Sequence, residues 1–393
     1  MRTFRSLRHP NYRLYFVGQL VSLIGSWTQI TTLTWLAFKQ TDSSATWPAL
    51  LAAVQIGPTF LLGPWGGALA DRMPRRGLIV RTQSAFLMCA LILLGLYLTD
   101  QLSVGAMLAV MFAHGVVQAI DLPARLAFVP SLVGREDMSN AVALNSLLFN
   151  VARAVGPAIA AILLASAGAY WCFVVNALSY LAVIGALVLI RVPPDPIDAP
   201  PPSTGGGFRF LSHRPGLLTL VLLAGLVACG GWPMLALLPS VAGLRLGRGE
   251  AGYGTLLSSV GMGALAAALM AATVGNDVRR KVLLLGGLIN VALALAGLSI
   301  THSLAMASGC CVLFGFGMIL FFATGQTLVQ LGTPDADRGK VMGVWAMMLS
   351  AGVPLGNLVF GPAADLFTVP AIITVQACVI SVAAVLLLFR RIE

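Results

Sequence analysis

Four side chains of this sequence have the chemistry to move a proton inside an apolar environment: His114, Asp121, Arg125 and Arg153. Each lies within or at the edge of a long, nearly uncharged run, where an ionisable group is costly and is retained for function by default. Asp121 is the pivot. A carboxylate beside a cation stays ionised, and protonating it releases the cation, so such a pair at depth is a proton-coupling switch. Two cations compete for it. Arg153 lies about 14 residues, roughly 21 Å, into its own helix at 1.5 Å per residue. Counted from the turn near Arg135, Asp121 lies 14 residues back and Arg153 18 forward, so their depths differ by only about 6 Å if both segments are helical. Arg125 stands one turn after Asp121, at the spacing of a local pair. Pairing with Arg153 gives a coupling network; pairing with Arg125 only caps a helix end. Both stand open at this level.

His114, Gln118 and Asp121 follow one another at i, i+4 and i+7, which places them on one helix face. His114 could relay protons because its ring titrates near neutrality, or it could simply pack between helices. Asn150 precedes Arg153 by about one turn and is positioned to orient it, while Gly156-Pro157 should bend that helix and let backbones approach. Gln19, Ser22, Ser26 and Gln29, spaced by 3, 4 and 3, form a second polar stripe. In lipid such a stripe must turn toward other helices or toward a wet cavity.

These groups need a membrane to hold them. The chain has 393 residues, 58% of them hydrophobic and 10% charged, and a mean hydropathy of +0.90, far from the composition of a soluble domain. The net charge of +10 does not indicate nucleic acid, because the basic residues sit in small groups at the ends of apolar runs. The six cysteines show no metal-ligand or redox spacing and are expected as buried thiols. No metal or cofactor is expected. Nucleophile elbow, His-Glu-x-x-His run and phosphate-binding loop are absent, which disfavours an enzyme.

Spans of about 20 mostly apolar residues fall near 12–38, 46–70, 77–99, 103–122, 139–166 and 170–191, then near 216–241, 251–274, 281–300, 303–328, 341–364 and 369–389. The stretch 192–214 between the two sets is rich in Pro and Gly and reads as a flexible linker. Trp232-Pro233 interrupts the seventh span, a break tolerated where a helix lines a cavity. With both termini on the cytoplasmic side, 20 of the 24 Lys and Arg residues fall in cytoplasmic segments. Lys39, Arg245 and Arg248 lie on the other side and Arg153 inside a helix. So lopsided a division supports twelve spans.

The densest of the basic groups follows the second span, where Gly66 to Arg76 reads Gly-Gly-Ala-Leu-Ala-Asp-Arg-Met-Pro-Arg-Arg. Asp71 is expected to accept hydrogen bonds from a helix N-terminus in the other half of the chain, held by Arg72, Arg75 and Arg76. The alternative is that the arginines only set orientation. Gly63 with Gly67, and Gly352 with Gly356, have the spacing of close helix contacts, and Asp365 is placed at the outer surface.

The halves also repeat. Leu7-Arg8-His9-Pro10 is echoed by Leu211-Ser212-His213-Arg214-Pro215, Asp71 with its arginines by Asp277 with Arg279, Arg280 and Lys281, and Gly156 by Gly356, all 200 to 206 residues apart. The expected architecture is therefore an all-α membrane protein of twelve helices in two pseudo-symmetric six-helix bundles, 1–191 and 215–393, joined by 192–214.

Over essentially its whole length the sequence resembles the major facilitator superfamily. The loop Gly67 to Arg76 looks like that superfamily's signature between helices 2 and 3, with Pro74 in place of its usual glycine. The block Asp121-Leu122-Pro123-Ala124-Arg125, Phe128-Val129-Pro130, Gly134-Arg135-Glu136-Asp137, Asn140-Ala141, Ala143-Leu144-Asn145-Ser146, Phe149-Asn150, Ala152-Arg153 and Gly156-Pro157 is similar to the branch of enterobactin exporters and macrolide-efflux permeases. The resemblance implies a proton-driven secondary exporter of small amphipathic organic molecules, a monomer in the bacterial inner membrane. It also implies a cavity walled by helices 1, 4, 7 and 10, making the stripe of helix 1, Gln118, Asn150 and Thr324, Gln326, Thr327 and Gln330 substrate contacts. Phe321 and Phe322 suit an apolar ligand or a packed core. Alternatives are a lipid or lysolipid flippase and a non-transporting receptor or scaffold.

The topology is checked by thiol labelling: cysteines introduced by Arg75→Cys and Arg279→Cys should react from the same face of sealed cells. Reaction from opposite faces would exclude the twelve-span arrangement.

Overall fold

A computed structural model describes residues 5–191, 206–273 and 280–389. Helices make up nearly all of them. The first six spans are α1 (Pro10–Gln40), α2 (Thr46–Arg72), α3 (Arg75–Leu98), α4 (Val104–Phe128), α5 (Met138–Ser166) and α6 (Ala169–Leu189). A short helix, α7 (Gly207–Ser212), then leads into a seventh span broken into α8 (Pro215–Gly231), α9 (Met234–Ser240) and a π turn, Val241–Arg245. The last five are α10 (Gly249–Thr273), α11 (Arg280–Ile300), α12 (Leu304–Leu331), α13 (Asp335–Leu366) and α14 (Val369–Phe389).

Among the described residues, 11 helical stretches are long and apolar enough to cross a bilayer. The twelfth span, α1, is 31 residues long but carries Gln19, Ser22, Ser26, Thr28, Gln29, Thr31, Thr32 and Thr34. Its polarity is turned inward: Gln19, Ser22, Thr28, Gln29, Thr31 and Thr32 are all buried, as helices in lipid require. The break at Trp232-Pro233 lies where the missing proline N–H predicts it.

The chain forms two compact units, Met1–Gln40 with Val54–Pro201, and Thr41–Ala53 with Pro202–Glu393. Within each unit the same helix packing recurs at a sequence offset of 200 to 205 residues. A Cβ on Gly115 of α4 would overlap the carbonyl oxygen of Gln55 on α2, and one on Gly315 of α12 would overlap that of Val260 on α10. Gly156 of α5 abuts Ile24, Trp27 and Thr28 of α1, and Gly356 of α13 abuts Cys229 and Pro233 of the seventh span. Helix ends are sealed alike. Arg76 donates from Nε and Nη2 to the carbonyls of Leu187 and Val188, 2.6 Å each, at the end of α6. Lys281 donates to the carbonyl of Leu388, 2.9 Å, at the end of α14. The last carbonyls of a helix lack intrahelical donors and carry partial negative charge, so a cation there satisfies both deficits.

Two packing expectations need correction. A Cβ placed on Gly63 or Gly67 would meet nothing within 4 Å, and the close approach of α2 is made by Gly66 against Ala119 of α4; the i, i+4 spacing identified a small-residue helix but missed its contacting face. Gly352 and Gly356, in contrast, do abut α8. The stretch read as a flexible linker ends in helix α7, whose Leu211 is fully buried and whose Gly207 lies against Lys340 and Val344 of α13. The apolar Phe208, Phe210 and Leu211 supply what the preceding prolines lack. Residues 192–205 of that stretch, and Asp277 with Arg279, lie outside the described residues.

Replacing Gly315 or Gly356 with Leu should destabilise the protein by about 1–3 kcal/mol through overpacking, read as a lower melting temperature in detergent. Gly63→Ala and Gly67→Ala should leave it unchanged.

Candidate functional site: a buried ion pair between α3 and α4

Asp121 is completely buried on α4, seven residues, or roughly 10 Å, before the end of that helix. Its Oδ2 lies 2.6 Å from Nε of Arg125, one turn on. Its Oδ1 accepts from Thr82 Oγ1 at 2.6 Å and from Gln83 Nε2 at 3.0 Å, both on α3. A buried carboxylate needs a cation and hydrogen bonds on its remaining lone pairs to offset the loss of water, and this cluster supplies them from two helices. Arg125, 9% exposed, also lies with its guanidinium 5.7 Å from the centre of the Phe149 ring, a favourable cation–π position.

The structure decides for the pairing that the sequence reads as a helix cap, but the pair is buried and is bonded to α3 as well, which a cap alone does not require. Arg125 holds Asp121, and the expected pairing of Asp121 with Arg153 is not made. Equal depth says nothing of direction around the helix, and i, i+4 geometry brings Arg125 to the same side as Asp121. Arg153 instead donates from Nη2 to Oδ1 of Asn150 at 3.0 Å, as its one-turn spacing predicts. Its guanidinium lies 6.0 Å from the Trp27 ring of α1.

His114 is buried two turns before the pair on α4, its ring 4.4 Å from that of Phe86 on α3. Phe86 stacks in turn on Tyr180 of α6 at 5.8 Å, and the Tyr180 hydroxyl lies 3.0 Å from Ser26 Oγ of α1. Among the described residues, Nδ1 of His114, Oε1 of Gln83 and Oε1 of Gln19 are buried without a hydrogen-bond partner. Gln118 is half-buried. Sequence reasoning missed Thr82, Gln83, Phe86 and Tyr180, and gave Phe149 only a place in the motif block. The adjacent polar pair Thr82-Gln83 at the start of an otherwise apolar span was the available signal.

Other expected contacts separate. Ser26 and Gln29 are taken up by α6, with Asn176 Nδ2 donating to Gln29 Oε1 at 2.8 Å; that part of the stripe joins helices. Gln19 and Ser22 are buried on the same helix. Thr324 is buried, Gln326 and Thr327 are exposed and Gln330 is half-buried, since 3.6 residues per turn sets Thr324 roughly 200° from Gln326. Phe321 and Phe322 are buried in an aromatic group in which Trp232 stacks on Phe322 at 6.2 Å and Phe322 meets Trp345 at 6.4 Å.

The basic turn also differs from expectation. Asp71 makes no hydrogen bond or ion pair among the described residues. Arg76 caps α6, and Arg75 donates to the carbonyl of Ala127, 3.3 Å, near the end of α4; Arg72 is exposed. Orphan carbonyls at helix ends compete successfully for these guanidinium groups. Part of the second motif block is structural too. Asp137 receives Arg5 Nε and His9 Nε2 at 2.9 Å each, Asn140 Oδ1 accepts from the Ser6 backbone N–H at 2.9 Å, and Tyr12 donates to the Ala141 carbonyl at 3.0 Å.

A profile of the family described as transmembrane secretion effector matches residues 1–393. The enterobactin exporter EntS of Escherichia coli O1:K1 / APEC is 26% identical over 393 residues, 98% of this chain and 92% of that protein. EntS of Citrobacter koseri is 26% identical over 360 residues, 90% and 85% of the two chains. Among solved structures, the nucleoside transporter NupG superposes with a TM-score of 0.77 at 12% identity, covering 96% of this chain and 98% of that one. A bacterial homolog of the human lysosomal transporter Spinster, in an inward-facing and occupied conformation, gives 0.73 at 14% identity over 97% and 96%. These last two share the fold.

Arg125→Ala should cost about 3–5 kcal/mol by leaving Asp121 buried without its cation, whereas Asp121→Asn combined with Arg125→Ala should recover much of that loss. Melting temperatures of the single and double variants in detergent check the coupling.

Proposed function

The chain belongs to the transmembrane secretion effector family, within the major facilitator superfamily, and on that premise we propose that it exports amphipathic organic molecules of the siderophore or drug type by alternating access, in exchange for protons. It is a multi-pass membrane transporter, of a family that moves molecules rather than converting them. Support for export and for a siderophore-like cargo comes from relatives named as enterobactin exporters.

The observation that carries the proton half is the buried Asp121–Arg125 pair, tied to α3 through Thr82 and Gln83. While Asp121 is ionised, its two oxygens bind α4 and α3 together. A proton arriving on the carboxylate removes the charge that holds Arg125 and takes the charge assistance from the hydrogen bonds of Thr82 and Gln83. The contact between α3 and α4 loosens, and loss of the proton on the other side of the membrane restores it. The burial of the pair and its bonds to two helices support this reading.

Asymmetry between the halves supports the same assignment. Positions 200 residues on from His114, Asp121 and Arg125 are Phe314, Phe321 and Gly325. Phe314 and Phe321 are fully buried, so the second unit has an apolar core where the first has charge. One half carries the coupling chemistry; the duplicated contacts carry the scaffold.

Further features of the proposal are a cytoplasmic location of both termini in a bacterial inner membrane, six-helix bundles 1–191 and 215–393 joined by 192–214, and function as a monomer powered by the proton gradient. Gln19, Ser22 and Gln118 face the transport path. Asp71 acts as a cytoplasmic latch that engages a helix N-terminus when that side closes, with Asp277 as its repeat.

The test is uptake of a siderophore and lipophilic drug panel into inverted vesicles, with and without an imposed pH gradient. Wild-type protein should accumulate cargo only with the gradient, and Asp121→Asn should lose that dependence while remaining folded. Gradient dependence unchanged in Asp121→Asn removes Asp121 from the mechanism, and lipid movement without any gradient identifies a flippase instead.

A further inference from the structure

Asp365 lies in the last turn of α13, and its carboxylate does the work of a helix cap for a different helix. Oδ1 accepts from the backbone N–H of Ala45 at 2.7 Å, and Oδ2 from the backbone N–H of Thr46 at 3.1 Å and its Oγ1 at 2.6 Å; the Ser44 hydroxyl donates to the same oxygen. These donors are the start of α2, whose first N–H groups have no intrahelical acceptor and whose dipole favours an anion. An N-cap residue ordinarily supplies this acceptor from the adjoining chain. Here it comes from 319 to 321 residues away.

We infer that Asp365 is a gating clamp of the transport cycle, a single side chain that fastens the first two turns of α2 to the C-terminal unit and must release them for α2 to move. The inference rests on the transporter assignment above. Four further observations converge on it.

The first is where α2 changes allegiance. Thr41–Ala53 clusters with the second unit and Val54 onward with the first. Pro58 lies inside α2 and lacks the N–H that would bond the carbonyl of Val54, so the helical ladder is interrupted at that boundary. A Cβ placed on Gly57 next to it would meet nothing within 4 Å. A helix anchored at one end and weakened at the point where it leaves its anchor can pivot there.

The second is the loop leading to the clamp. Asp42 and Ser43 are consecutive non-glycine residues in the left-handed region, at φ 50° and 66°. Such residues persist where the surroundings over-determine them, and four hydrogen bonds to one carboxylate provide that constraint immediately downstream.

The third is the packing beneath it. A Cβ on Gly361, one turn before Asp365, would overlap Ala49 and crowd Ala45, so α13 and the start of α2 touch along more than the carboxylate. The fourth is singularity. The scaffold contacts recur at an offset of 200 to 205 residues, but the residue 200 positions before Asp365 is Ala165. A contact needed only to hold a bundle together would be expected in both halves. At the far end of α2, about 40 Å away along a helix of this length, Asp71 is unbonded among the described residues. One end of α2 is fastened while the acidic group at the other is idle, as expected of a helix that alternates between two attachments.

Two measurements in a Cys378→Ser background test the clamp. First, Ser44→Cys with Asp365→Cys, bridged by a short bis-methanethiosulfonate linker, replaces the native contact of these side chains with a covalent one; the cross-linked protein should stop transporting and regain the activity of the unlinked variant on reduction. Second, Ala45→Cys places a thiol at a position only 1% exposed. Its labelling by a bulky maleimide should rise about tenfold or more with Asp365→Ala, the ratio expected from losing charge-assisted bonds, and less with Asp365→Asn. Size-exclusion profile and melting temperature confirm that each variant is folded. Undiminished transport by the cross-linked protein, or unchanged labelling in folded Asp365→Ala, overturns the clamp. The labelling needs no substrate, so it decides the clamp even if the export assignment fails.

Discussion

An ionised carboxylate inside a bilayer protein must find its counter-charge and its hydrogen bonds within the fold, because no solvent is there to provide them. Asp121 meets that demand with Arg125 on its own helix and Thr82 and Gln83 on the neighbouring one. Much of the surrounding structure answers to this need. α4 continues past Asp121 to Phe128 and so brings Arg125 within the helix, α3 presents two adjacent polar side chains at matching depth, and Phe149 covers the guanidinium. On the proposed mechanism this set of contacts is what an arriving proton loosens.

The two units share a scaffold and diverge in chemistry. Glycines at equivalent positions let helices meet backbone to backbone, and cations at equivalent positions, Arg76 and Lys281, close the C-terminal ends of α6 and α14. The last carbonyls of a helix lack intrahelical donors, and these cations supply them. Where one unit has His114 and Asp121, the other has the buried rings of Phe314 and Phe321 at the positions 200 residues on. On the proposed mechanism the N-terminal unit is therefore the one that senses protons, while in the other unit Trp232 at the break of the seventh span stacks on Phe322, which meets Trp345.

Helix α2 links these properties because it belongs to both units. Its first turns are held through Asp365 and Gly361, its remainder packs on α4 through Gly66, and prolines at 58 and 64 interrupt its hydrogen-bond ladder. On the clamp inference, these interruptions are where α2 bends between its two attachments.

The sequence by itself determined the membrane class, the spans and their repeat, because hydrophobic run length and basic turns are local properties that survive without any knowledge of contacts. It also determined the break at Trp232-Pro233 and the Asn150–Arg153 bond, each a matter of one residue or one helical turn. Only the tertiary structure decided which cation meets Asp121, that Arg75 and Arg76 bind carbonyls rather than Asp71, and that Gly66 rather than Gly63 or Gly67 faces a neighbour. Depth along a helix can be counted from residue numbers, but rotation about its axis and the identity of the helix alongside depend on packing that no single segment contains. Asp365 illustrates the limit: its partners lie more than 300 residues away in the chain, joined to it by folding alone.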